Sequence, residues 1–166
     1  MYYYIYDIFT SEKHYRKEIS KMEVILSNMG ISGKVYKLNI LKNLEEIIEE
    51  AVNNHVKNII AVGNDKLVGN LANLLVDKNI ALGVIPIGEP NNLANYFDIT
   101  SIAQACQIIS ARKILEIDVG KINGQYFFMS LEIEDNDVHL ELDGFNISPR
   151  SNNSNVGIYK DRKSVV

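Results

Sequence analysis

The 166-residue sequence has one cysteine, no excess of positive charge and no apolar run long enough to cross a bilayer. Cys106 alone cannot make an internal disulfide, so none is expected to brace the fold. Seventeen lysines and arginines stand against 21 acidic residues, a formal net charge of −4, and the basic residues are spread along the chain. No basic face for nucleic acid or anionic lipid follows from that pattern. The longest apolar stretches, "NIIAVG" and "IALGVIPI", are strand-sized, so no integral membrane segment is expected. The opening "MYYYIYD" lacks the basic start and apolar core of a signal peptide, and a cytoplasmic location is the expectation. His14, His55 and His139 are far apart, with no ligand spacing around them, so no metal site is assigned. Cys106 falls on the apolar side of its helix and reads as a small core residue.

What is present alternates. Residues 2–8, aromatic and β-branched, read as a first strand. Thr10 or Ser11 then caps a helix with Tyr15, Ile19, Met22, Leu26 and Met29 inward, ended by Gly30. "GKVYKLN" reads as a second strand. Asn43 with Glu46 resembles a capping box for a helix burying Leu44, Ile47, Ile48, Ala51 and Val52. "NIIAVG" at 58–63 is apolar on both faces, as a central parallel strand is, and a helix over 66–77 follows. "IALGVIPI" at 80–87 is a fourth such strand, with helices at 91–97 and from Thr100 or Ser101 to Arg112. The pattern predicts an α/β domain, a doubly wound, mostly parallel sheet with helices on both faces, over 1–112.

Beyond residue 112 the helical spacing stops. "KILEIDVGKINGQYFFMSLEIE" is two extended runs joined by Asn123-Gly124, a strong hairpin signal. "DVHLELDG" alternates, "FNISP" extends it, and "VGIYKD" after the polar "SNNSN" loop is a last strand. A small antiparallel unit is expected over 113–160, and 161–166 as a tail. The tyrosines at 2, 3, 4 and 6 alternate faces on the first strand, which suggests a contact with another chain.

Three stretches in order resemble the catalytic domain of the diacylglycerol kinase family, which includes bacterial lipid kinases and sphingosine kinases. "IIAVGNDKLVGNLANLL" is similar to that family's strand, GGDGT loop and helix, a loop shared with NAD kinases. "LGVIPIGEPNNLANYFDI" is similar to its LGIIPxGTxNDFA stretch, and favours the lipid kinases over the NAD kinases. "EIDVGKINGQYFFMSLEIE" resembles the strand pair that follows, and "HLELDGF" the late strand carrying Asp-Gly-Glu. In the family a long stretch after the strand pair completes a β-sandwich and the lipid cleft, whereas here a short turn separates Glu134 from Val138.

The resemblance implies a nucleotide site at Gly63, Asn64, Asp65, Lys66, Gly88, Asn91, Asn92, Asp143 and Gly144, with Asp65 the catalytic candidate. ATP and Mg²⁺ are the implied cofactors of an active member. A glycine-rich turn opening onto a helix binds phosphate because bare N–H groups approach the oxygens. Here the loop has Asn64, Lys66 and Leu67 where the family has glycine, glycine and threonine. Asn64 is expected to keep a left-handed turn, Asp65 to cap the helix through its carboxylate, and Lys66 to offer a positive charge. Glu89 adds a negative charge, Pro90 lacks an N–H, Asn92 replaces an aspartate and Phe145 a glutamate. Gly83 and Gly88 also read as packing and turn glycines.

Two functions remain open. One is a diacylglycerol kinase-like domain with a weakened nucleotide site and kinase activity reduced or lost. The other is a non-catalytic module that self-associates or binds a partner, a homo-oligomer that would cover Phe127, Met129 and Leu131. The carboxylates Glu132, Glu134, Asp135 and Asp137 around the second turn, and the helix face Glu45, Glu46, Glu49 and Glu50, read as solvated charge.

Overall fold

The computed structural model describes residues 1–40 and 42–128 and, beyond them, the strands at 130–133, 140–142, 145–147 and 156–159. The chain divides into two compact units, Met1–Ile117 and Asp118–Val166.

The first unit is built on four parallel strands, β1 (Tyr2–Tyr6), β2 (Lys34–Lys37), β3 (Asn58–Gly63) and β4 (Ala81–Pro86), in the order β2-β1-β3-β4. Five helices accompany them: α1 (Arg16–Asn28), α2 (Leu44–Asn53), α3 (Asp65–Leu75), α4 (Asn92–Tyr96) and α5 (Ile102–Ser110). The strand period of two sends alternate β1 side chains into two cores. Tyr2, Tyr4 and Tyr6 join Met22 and Leu26 of α1 and Cys106 of α5 on one face. Tyr3 and Ile5 join Ile47 and Ile48 of α2 and Leu67 and Leu71 of α3 on the other. Both faces are therefore covered, as the doubly wound reading requires.

The four tyrosines do not form a contact surface; Tyr3, Tyr4 and Tyr6 are each only 1% exposed. β1 is a central strand, so both its faces are interior, and the hydroxyls are long enough to find polar partners at the margin. Tyr6 donates to Glu23, Tyr4 to the Ile31 carbonyl, and Tyr3 and Tyr36 both to Glu50 Oε1, which Lys34 also bonds at 2.6 Å. Burial raises the Tyr4 and Tyr6 hydroxyl pKa values well above the usual tyrosine range.

Three further expectations shift. The first helix is not capped by Thr10 or Ser11: two 3-10 turns, Ile8–Ser11 and Lys13–Tyr15, intervene, Asp7 caps the first, and α1 starts at Arg16. Val52 is 42% exposed, because the buried stripe of α2 runs through Ile47, Ile48 and Ala51. β4 is an edge strand among the described residues, so its flanks are only half-buried rather than those of a central strand. Asn43 does cap α2, accepting from the Glu45 N–H at 3.1 Å.

In the second unit β5 (Gly120–Ile122) and β6 (Gln125–Phe127) pair antiparallel around Asn123-Gly124, both left-handed at φ 47° and 83°. That is the two-residue turn the pair encodes. Phe127 lies over Gly120, where a Cβ would meet its ring at 2.1 Å. β7 (Ser130–Ile133) pairs with β10 (Val156–Tyr159), and β8 (Leu140–Leu142) with β9 (Phe145–Ile147), both antiparallel. β9 is thus not a continuation of β8, as "FNISP" was expected to be, but its antiparallel partner. Residues 113–119, expected as part of an extended run, are not paired as a strand, and Ile114 and Leu115 stand 67% and 70% exposed. Met129, Glu134, Asp135, Asp137 and His139 lie outside the described residues, as do the side chains of Leu131 and Glu132.

Candidate nucleotide site

The sheet order places the site. The chain leaves β1 toward β2 and returns past it to β3, then leaves β3 in the opposite direction toward β4. The crevice outside the carboxyl ends of β1 and β3 is therefore the topological switch point, where open α/β sheets take ligands. Gly63–Lys66 lies at that point, with the loop after β4 beside it.

The two loops are laced together by their own backbones. Gly63 accepts from the Ile87 N–H at 3.1 Å, and the Asp65 N–H donates to the Pro90 carbonyl at 2.9 Å. Asn64 is extended at φ −97°, not left-handed, because it rather than Asp65 is the cap of α3. Its Oδ1 accepts from Lys66 N–H at 3.1 Å and Leu67 N–H at 3.5 Å, and its Nδ2 donates to the Glu89 carbonyl. The Asp65 carboxylate instead reaches across to α4, accepting from Asn92 N–H at 2.7 Å and Leu93 N–H at 3.1 Å. A single residue of offset thus gives Asn64 the local cap and Asp65 the remote one.

The remaining candidates divide. Gly88 is left-handed at φ 75°, and a Cβ there would stand 2.6 Å from the Phe9 ring. The Asn91 side chain donates to the Gly88 carbonyl, folding the second loop on itself. Lys66 is exposed in the first turn of α3, in right-handed helix. Leu67, where the resemblance expects threonine, is 2% exposed and packs into the α2–α3 core, so its apolar side chain has a packing role. Glu89, Pro90 and Asn92 are exposed. Asp143 and Gly144 lie outside the described residues, and of Phe145 only the strand backbone is described.

One residue of this cluster escaped the sequence reading. Asp7, directly after β1, accepts from Ile8 N–H at 2.7 Å. Its own N–H donates to the Val62 carbonyl, and its Oδ2 stands 3.3 Å from where a Gly63 Cβ would be. Partial burial pushes its carboxyl pKa up, while the Ile8 N–H and the charge of Lys66 pull it back. An aspartate after a strand carries no local pattern distinguishing it from an ordinary turn cap; only the β1–β3 pairing sets it against the first loop.

The opening donors of both helices are engaged within the protein. The opening N–H groups of α3 go to Pro90, Asn64 Oδ1 and the Asn64 carbonyl, and two at the start of α4 go to Asp65. A shallow concavity lined by Glu49, Val52, Asn53 and Lys78 shares no residue with these loops. Among the described residues no three His, Cys, Asp or Glu side chains gather as a metal site, and no helix is long and apolar enough to cross a membrane.

Residues 2–122 match the family model of the diacylglycerol kinase catalytic domain. Over 89 residues the chain is 30% identical to proteins described as probable lipid kinase YegS-like from Yersinia pestis and Yersinia pseudotuberculosis. That alignment covers 51% of this chain and 30% of each relative. A diacylglycerol kinase structure from Bacillus anthracis superposes with a TM-score of 0.69 at 21% identity, covering 80% of this chain and 47% of that one. A putative diacylglycerol kinase from the same organism gives 0.68 at 22%, covering 80% and 46%. At those identities the likeness is one of fold, and the chain spans under half the length of these relatives. The match of the family model along most of the chain makes it a member of the diacylglycerol kinase catalytic-domain family.

Proposed function

We propose that this diacylglycerol kinase-like domain has a weakened nucleotide site and that its kinase activity is reduced or lost. The observation that carries the reading is the internal use of the phosphate-facing groups: the Asn64 amide caps α3 and the Asp65 carboxylate caps α4. Phosphoryl transfer depends on positioning donors and charge around the phosphates. A phosphate entering these loops would have to displace hydrogen bonds to a charged acceptor, each worth about 1.5–3 kcal/mol. The described residues therefore do not fit ATP with Mg²⁺. Each Asp65 oxygen already accepts a backbone N–H, Asn92 is uncharged, and Glu89 adds negative charge beside the loop. No transfer step is derived through that pair.

The test is calorimetric titration of the protein with ATP and with ADP, each with and without Mg²⁺, alongside Asp65→Asn. No saturable binding below millimolar nucleotide is the expected result, with Asp65→Asn changing stability rather than affinity. Micromolar binding abolished by Asp65→Asn would overturn the reading.

A second reading, a self-associating module, is favoured by Ile114, Leu115 and Ile117, exposed at 67%, 70% and 39% in a short span without strand pairing. Apolar side chains so concentrated gain from cover by another chain. Light scattering at micromolar concentration is expected to show a dimer or larger, reduced by Leu115→Asp; a monomer refutes it.

A further inference from the structure

We propose that α1 of one copy docks in parallel on α2 of a second copy, setting Lys17 against Glu45, Lys21 against Glu49 and Val24 against Val52. The inference rests on the self-association reading and gives it a surface distinct from residues 114–117.

The two helices present matching rows to solvent. On α1, Lys17, Lys21 and Val24 are exposed at positions i, i+4 and i+7, which share one helical face, opposite the buried Ile19, Met22 and Leu26. On α2, Glu45, Glu49 and Val52 are exposed at the same spacing, turned away from the buried Ile47, Ile48 and Ala51. The rows agree in length and differ in sign. Val24 is 59% exposed and Val52 42%, so each row ends on an uncovered apolar side chain.

Neither row is used inside the protein. Among the described residues the side chains of Lys17, Lys21, Glu45 and Glu49 make no hydrogen bond or ion pair. Their neighbours on the same helices do: Glu23 accepts from the Tyr6 hydroxyl, and Glu50 from Tyr3, Tyr36 and Lys34. Nor can the rows meet within one chain. α1 packs on the core that holds Tyr4 and Tyr6, α2 on the core that holds Tyr3 and Ile5, and the sheet lies between them.

Direction follows from the order of residues in the rows. Antiparallel helices would oppose Lys17 to Val52 and Val24 to Glu45, leaving Lys21 and Glu49 as the only matched charges, whereas parallel helices match all three positions. The shallow concavity lined by Glu49, Val52, Asn53 and Lys78 opens beside Val52 and gives Val24 room. Because the rows lie on opposite sides of the sheet, the contact is heterologous: the second copy offers its own α2 to a third, and assembly does not stop at a dimer. Exposed ion pairs contribute little each, so the association is weak and salt-sensitive.

Sedimentation equilibrium tests this on wild type, Lys17→Glu with Lys21→Glu, Glu45→Lys with Glu49→Lys, an equimolar mixture of those two variants, and Leu115→Asp, at low and at molar salt. The wild-type mass is expected to climb with concentration at low salt and to fall at molar salt. Each charge-reversed variant is expected to associate at least about tenfold more weakly, two attractions having become repulsions. The mixture is expected to recover association, since the reversed row of each variant finds its complement on the other. Glu45→Lys sets a cation in the first turn of α2; if circular dichroism shows lost helix, Glu45→Gln with Glu49→Gln takes its place and is expected to associate more weakly than wild type. Association that both charge variants leave unchanged and Leu115→Asp removes overturns the helix pairing and leaves the self-association reading standing. Loss in both charge variants without recovery in the mixture overturns the pairing of these two rows with each other. A wild-type monomer throughout the micromolar range overturns both. If that monomer sediments with phosphatidylglycerol vesicles, and the lysine variant alone does not, the α1 row belongs to an anionic lipid surface instead.

Discussion

The helices α3 and α4 begin side by side at the same end of the sheet, yet they are held in opposite ways. α3 is 11 residues long, buries Leu67, Val68, Leu71, Ala72 and Leu75, and is capped by its own neighbour Asn64. α4 has five residues and one buried side chain, Ala94, and its preceding residue Asn91 makes no capping bond. Its N–H groups are met instead by Asp65, 27 and 28 residues earlier. A helix that short does not persist on propensity. Family resemblance marks Asp65 for chemistry, while the geometry gives it a structural duty that ties α4 to α3.

That contrast can be broken from either side. Leu67→Thr, which restores the residue type expected from the resemblance, should cost most, about 3 kcal/mol, because it empties apolar volume in the α2–α3 core and buries a hydroxyl. Urea unfolding would read it, and a loss under about 1 kcal/mol would deny Leu67 its packing role. Asp65→Ala should follow at about 2 kcal/mol, with amide exchange accelerated at Asn92 and Leu93 and the centre of α3 still protected. Equal acceleration across both helices would show that α3 needs Asp65 as much as α4 does. Asn64→Ala, removing a local cap from a well-buried helix, should cost only about 1 kcal/mol.

The smallest effect lies away from both helices and concerns pH. The hydrogen bond from Lys34, then that from Tyr36, holds the Glu50 carboxyl below the usual glutamate range. Its folded pKa is therefore depressed. The stabilisation is complete above the unfolded value of about 4.3 and is lost as pH falls through the lower folded value. Thermal melts should show a shallower acid limb below about pH 4.3 for Glu50→Gln than for wild type. Identical limbs would mean that the Lys34–Glu50 pair contributes nothing measurable, as is true of many surface pairs.

Much of the first unit was legible in the sequence because its signals are local and repeated. "NIIAVG" ends as a strand at Gly63, where it was expected to, and Asn123-Gly124 forms the turn its residues encode. What was not legible depends on strand order. The tyrosines of β1 fall on both faces of the strand, which suggested a contact with another chain, and only their place between β2 and β3 makes both faces interior. β4 is as apolar as β3, and its edge position among the described residues cannot be read from composition. At the loops, Asn and Asp are both good caps, so adjacent Asn64 and Asp65 leave the choice to the neighbouring chain; the α4 backbone takes the carboxylate. Asp7 was missed for the same reason, since its significance comes from Gly63, 56 positions away.

The two rims of the four-stranded sheet end for different reasons. Lys34 and Lys37 put charge on β2, a familiar guard against further pairing. β4 carries no charge, and handedness is what limits it. α1 carries the chain from β1 to β2 on one face, and α3 carries it from β3 to β4 on the other, each in the direction that a right-handed crossover demands. Because α5 shares the face of α1, a right-handed continuation from it would have to land on the side of β4 that β3 already fills. Chirality therefore keeps the segment just after α5 from adding a fifth parallel strand outside β4.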